Sequence, residues 1–142
     1  MEKSVMIRAK ICFAAVAVVQ DTTTNSVSAF NILEGVTAVG MPFFMQSLAF
    51  FVLWEREAND PPRALGTLTI NINEQQLIAQ GGITVDFGAG LRHRTVVNVN
   101  GLIVPRPGLL RFRLELEAGV RAEYVVDVAT PAPGVQVQPQ GQ

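Results

Sequence analysis

The residues able to carry chemistry in this 142-residue chain are few and scattered. His93, the only histidine, sits between Arg92 and Arg94 and follows Asp86 by seven positions. A hydrolytic triad would require Ser26, Ser28 or Ser47 to meet that imidazole, with a third group to orient the ring. Nothing in the spacing joins them. Cys12 is the only cysteine and lies within an apolar run far from His93; one thiol and one imidazole do not complete a structural zinc site. Calcium needs several carboxylates converging from loops, whereas Asp21, Asp60 and Asp86 lie singly. Asp86-Phe87-Gly88 matches the metal-binding tripeptide of kinases without the glycine-rich loop, strand lysine or catalytic loop that give it meaning. Gly88-Ala89-Gly90 reads as a glycine turn rather than an anion cradle. The sequence therefore predicts no catalytic, cofactor-binding or metal-ligating residue and no enzyme.

Charge narrows the partners further. The formal net charge is −1 and charged residues make up only 16% of the chain, so there is no electrostatic footprint for nucleic acid or an anionic membrane. The basic cluster Arg92-His93-Arg94, with Arg106 and Arg111 downstream, has no interleaved aromatics on which bases would stack. A lone cysteine excludes a disulfide within the chain, which fits a reducing, cytoplasmic setting. The opening (Lys3, Arg8 and Lys10, then ICFAAVAVV) has the outline of a secretion leader. Its apolar run of about nine residues is too short to span a bilayer, leads straight into a turn and has no clean small-x-small cleavage site after it. It is expected to be a strand.

The elements that must position any site are strands. From Val16 to Glu34 (VAVVQDTTTNSVSAFNILE) an apolar run, a knot of turn formers at Asp21–Asn25 and a second apolar run spell a β-hairpin. Ser4 to Gln20 forms the first strand and Val27 to Leu33 its return. Gly35 and Gly40-Met41-Pro42 break the chain before Phe43 to Trp54. A proline-bearing loop, Glu55 to Arg63, precedes an alternating strand at Leu65 to Asn73. Glu74 to Gln80 is ambiguous, with one helical turn as an option, and Ile83 to Phe87 is a short strand. Thr95 to Val104, Leu110 to Glu117 and Arg121 to Val128 complete the set. A three-residue loop at Ala118-Gly119-Val120 would place Glu117 across from Arg121 and Arg111 across from Asp127. About eight such strands predict an all-β, antiparallel two-sheet β-sandwich, immunoglobulin-like or C2-like, over residues 1–129. Residues 130–142 (TPAPGVQVQPQGQ) lack a core pattern and read as an extended Pro/Gln/Gly-rich tail.

The hairpin resembles the N-terminal signature of a family of uncharacterised bacterial β-sandwich proteins, D-x-x-T-N followed by S-x-F-N-x-x-E. The matching positions are Asp21, Thr24, Asn25, Ser28, Phe30, Asn31 and Glu34. Pro107 to Gly119 resembles that family's proline-glycine-strand-turn ending. The resemblance spans most of residues 5–128 and implies a compact sandwich; it brings no catalytic residues.

One anomaly points to a role. In a two-layer sandwich each strand hides one face and shows the other to water. Ser4–Gln20 and Phe43–Trp54 are apolar on both faces. If they are neighbours, their outer faces make a continuous apolar patch, which ordinarily marks an interaction surface. The expected contact residues are Phe13, Val16, Val18, Phe43, Met45, Phe51 and Leu53, serving self-association into a homo-oligomer or docking of a protein partner. The bland alternative is cover from within the chain by Glu74–Gln80 or the C-terminal tail. A second functional reading is a small-ligand or carbohydrate-binding sandwich using Arg92, His93, Asn98 and Asn100, with the outward Asn71 and Asn73 as further sugar-facing groups.

Overall fold

The computed structural model describes residues 6–117 and 119–131. Among these residues nine strands follow in order: β1 (Arg8–Asp21), β2 (Ser26–Ile32), β3 (Gly35–Thr37), β4 (Phe43–Glu55), β5 (Arg63–Ile72), β6 (Gln76–Asp86), β7 (Arg92–Val104), β8 (Gly108–Leu116) and β9 (Arg121–Ala129). They form a four-stranded sheet, β2-β1-β4-β7, packed on a five-stranded sheet, β3-β9-β8-β5-β6. With β2 and β3 set aside, the strands number seven. The first, second and fifth of them face a sheet ordered seventh, sixth, third, fourth. That is the all-β, two-sheet β-sandwich that the sequence predicts, with Greek-key connections between its sheets. The tail expected at 130–142 falls almost wholly outside the described residues. No helix among the described residues is long and apolar enough to cross a membrane.

Alternation builds the core. Leu48, Phe50, Val52 and Trp54 of β4 point inward to meet Leu68, Ile70 and Ile72 of β5 and Leu110, Phe112 and Leu114 of β8. The rings of Phe50 and Phe112 stack across the sheets with centroids 5.5 Å apart. Trp54 is fully buried, and its indole N–H donates to the Thr95 hydroxyl at 3.0 Å. That bond satisfies the only polar atom the ring takes out of water. Along β4 and β7 the alternation changes phase once. Met45 and Leu48 both meet the core, as do Val99 and Leu102. The opposing Gly101 takes φ 80°, which absorbs the switch, and a Cβ there would touch the Phe44 ring.

Several boundaries depart from the sequence reading. Gly35–Thr37 forms β3, which pairs in parallel with β9 from Gly35–Asp127 to Thr37–Ala129; three residues are too few to show a period. Glu74–Gln80 and Ile83–Phe87 are one edge strand, β6, rather than a helical turn and a strand, with Gly81-Gly82 inside it. The β8–β9 hairpin closes one residue earlier in the chain than expected. Leu116 donates its N–H to the Val120 carbonyl, and Glu115, not Glu117, stands across from Arg121, with Leu109 across from Asp127. The inward faces are unchanged, because a slip of two preserves the pleat.

Replacing Phe50 with Ala is expected to lower unfolding stability by about 3–5 kcal/mol in urea titration, since its ring is fully buried. Phe30→Ala, at a side chain 53% exposed, is expected to change it by less than about 0.5 kcal/mol.

Candidate functional site

The doubly apolar strands are indeed neighbours: β1 pairs with β4 from Arg8–Glu55 to Ala15–Ala49. Their inner faces enter the core. Their outer faces meet in the pairs Ile11–Leu53, Phe13–Phe51 and Ala15–Ala49, and the Phe13 and Phe51 rings stack with centroids 5.0 Å apart. Yet Ala15, Ala49 and Phe51 are only 0%, 1% and 5% exposed. Something covers them.

The cover is the distal half of the β1–β2 hairpin. Ladder pairing of β1 with β4 stops at Ala15, while pairing with β2 continues through Asp21–Ser26. Opposite Val16, at the bend, stands Asn31 with φ 54°, a conformation that asparagine tolerates better than most residues. Beyond that point the hairpin lies across the outer face of its own sheet. Val27, Ala29 and Ile32 wall a hollow floored by Ile11, Phe13, Phe51 and Leu53. The tip is fastened on the far side of β4: Arg94 of β7 donates to the Asn25 carbonyl at 2.8 Å and to its Oδ1 at 3.2 Å. The turn itself is held by Asp21, whose carboxylate accepts from the amides of Thr23 and Thr24 at 2.8 and 3.3 Å. Those two bonds hold its pKa below the usual carboxylate value.

This arrangement leaves the expected contact residues unequally exposed. Met45 faces the core and Phe51 lies under the arm, so neither is presented to a partner. Phe13, Val18, Phe43 and Leu53 are half-buried, and Val16 is exposed at the bend. The residues that do reach solvent on this side include Ile11 and Ile32, about half exposed, which sequence alternation alone could not single out. The hollow they flank measures about 360 Å³ and has one charged wall residue, Arg94.

The expected ligand residues do not converge. Arg92 and His93 line a hollow with Gln20, Asn25 and Arg94, whereas Asn98 and Asn100 line a separate groove between β6 and β7. Asn73 is consumed by the fold: its amide nitrogen donates to the Pro107 carbonyl and its oxygen accepts from the Leu109 amide. Arg111 is tied to Glu74 and Glu123, and Arg92 to Glu55, so the arginines do not gather into one anion site. His93 is half-buried between its flanking arginines, with its ring edge-on to Phe87 at 6.1 Å. Burial lowers its pKa, and nearby Asp86 opposes that shift only in part. Cys12 packs against the core, and burial pushes its thiol up to about 12, far from a reactive thiolate. Among the described residues no three His, Cys, Asp or Glu side chains gather where they could hold a metal ion.

A buried polar knot escaped the sequence reading. Arg56, only 8% exposed, donates to the carbonyls of Gly90 and Asp60, each at 2.9 Å, and stands 5.5 Å from the Phe87 ring centroid. The Asp60 carboxylate accepts from the amides of Glu57 at 2.8 Å and Met6 at 3.0 Å. These hydrogen bonds run from two side chains to the backbone of the surrounding loops, so the knot closes one pole of the sandwich. No protein-family model matches the chain, and no curated protein matches it significantly.

Arg94→Ala should free the hairpin tip. Amide exchange over residues 17–30 is expected to quicken at least tenfold, while exchange in β5 and β8 stays unchanged. Because His93 is held below its ordinary pKa, folding favours its neutral form, and its contribution is complete above the ordinary histidine pKa. That contribution is lost as pH falls from the ordinary histidine value toward the lower folded one. His93→Gln should flatten this part of a stability–pH profile recorded between pH 7.5 and 5.5.

Proposed function

We propose that this chain is a non-enzymatic interaction module that associates with a second copy of itself through the apolar face beside the hairpin arm. The observation that carries the reading is the hollow bounded by Ile11, Phe13, Val27, Ala29, Ile32, Phe51 and Leu53, left open although the arm covers the rest of that face. Phe30, Val19, Ile11 and Ile32, all on β1 or β2, are each about half exposed. Apolar surface gathered in this way is better satisfied by a protein partner than by water. At roughly 25 cal/mol per Å², covering even a modest patch contributes several kcal/mol to association. Kinship with the bacterial sandwich proteins that the hairpin resembles belongs to the same proposal, because the motif residues Asp21, Asn25 and Asn31 are those that shape and anchor the arm.

Light scattering at micromolar concentration is expected to give a mass above that of one chain. The double variant Ile11→Arg/Ile32→Arg should return it to one chain with its unfolding midpoint retained, since both side chains are already half in water. A wild-type protein of single-chain mass at those concentrations would overturn the reading.

A further inference from the structure

On the β6–β7 flank, each sheet ends in a strand with one bare edge among the described residues: β7 pairs there only with β4, and β6 only with β5. A groove of about 260 Å³ runs between these edges, walled by Leu68, Ile70, Ile83, Val97 and Val99. Bare edges are normally blunted by charge, proline or a bulge. No charged side chain and no proline occurs from Thr95 to Val104 or from Gln75 to Val85; β6 carries one bulge, at Ile78 opposite Ile70–Asn71, whereas the β7 ladder with β4 runs without a shift in register. The β6 wall also contains Gly81-Gly82, at neither of which is φ positive, and a Cβ at either would meet open space. The fold does not require glycine there, and glycine inside a strand is unfavourable relative to alanine. Strand glycines without a conformational reason mark places where another backbone approaches closely.

We infer that this groove receives residues 134–138 (Gly-Val-Gln-Val-Gln) of a second copy as an added strand along the β7 edge. The match is chemical. No charged side chain follows Asp127 in the sequence, and Val135 and Val137 are spaced to place both side chains on one face of an extended segment. The wall offers apolar side chains toward that face and unpaired backbone groups along the edge, the two requirements of strand addition. The 11 residues from 132 to 142, at about 3.3 Å each, exceed the length of the five-residue wall from Ala79 to Ile83. The site is separate from the arm face and does not depend on it.

The test uses the full chain. Amide exchange in Ala79–Ile83 and Thr95–Asn100 is expected to slow as concentration rises. Val135→Asp/Val137→Asp should abolish that dependence with the unfolding midpoint unchanged. Gly81→Ala/Gly82→Ala should raise the midpoint by a few degrees while weakening the concentration dependence at least tenfold, a combination that a purely structural role for the glycines would not produce. Ile11→Arg/Ile32→Arg should leave this protection intact, so failure here and failure of the arm-face reading are separable. Protection that is independent of concentration, or that survives Val135→Asp/Val137→Asp, overturns the inference.

Discussion

The structure depends on one constraint: β4 is apolar on both sides, so both of its sides must be dried. A two-sheet sandwich dries only one. The chain dries the other by bending β1 and β2 together and laying the end of that hairpin back across its own sheet. Ala15, Ala49 and Phe51 are thereby buried without entering the core between the sheets. The bidentate hold of Arg94 on Asn25 fixes where the arm ends. The result is a local third layer over one sheet, with a hollow where cover and floor do not fully meet.

Once that layer is recognised, much of the chain's unusual composition has a place. A low charged fraction goes with three apolar layers in a chain of modest size. The charges present are spent on fastening: Arg56 and Asp60 tie loops, Arg8 and Arg92 share Glu55, and Glu123 stands among Arg111, Arg113 and Arg121. Few remain to form a recognition patch.

How much of this was legible follows from the range of each signal. Period-two patterning at Leu68–Ile72 and Phe112–Leu116 is local and decisive, and it placed those strands and their inward faces correctly. The hairpin was equally plain, because Asp21 to Asn25 is dense in turn chemistry. Its bend was not, for a single asparagine at positive φ, Asn31, leaves no pattern in its neighbours. The excess of apolar residues in β1 and β4 was legible as an excess, but its destination was not, since cover by a hairpin's own tip is a long-range event. β3 and the Arg56 knot were silent for the same reason: their partners, Asp127 to Ala129 for one and the carbonyls of Asp60 and Gly90 for the other, are chosen by tertiary structure. The shelter of His93 by a phenylalanine six positions earlier is likewise invisible in its arginine neighbours.

The placement of Met6 and Ala129 has a mechanical corollary. Met6 is bound to Asp60 at the pole closed by the Arg56 knot, whereas β9 finishes at Ala129, beside Thr37 and just past the Gly108–Val128 rung, at the opposite pole. Tension applied between Met6 and Ala129 would therefore act along the strands. A pull that slid β9 along β3 would load the parallel rungs from Gly35–Asp127 to Thr37–Ala129 in shear, all together, instead of peeling them one by one. Resistance of that kind is set by the rate of crossing the unfolding barrier rather than by equilibrium stability, and it would make this small sandwich stiffer when pulled than its thermodynamics alone imply.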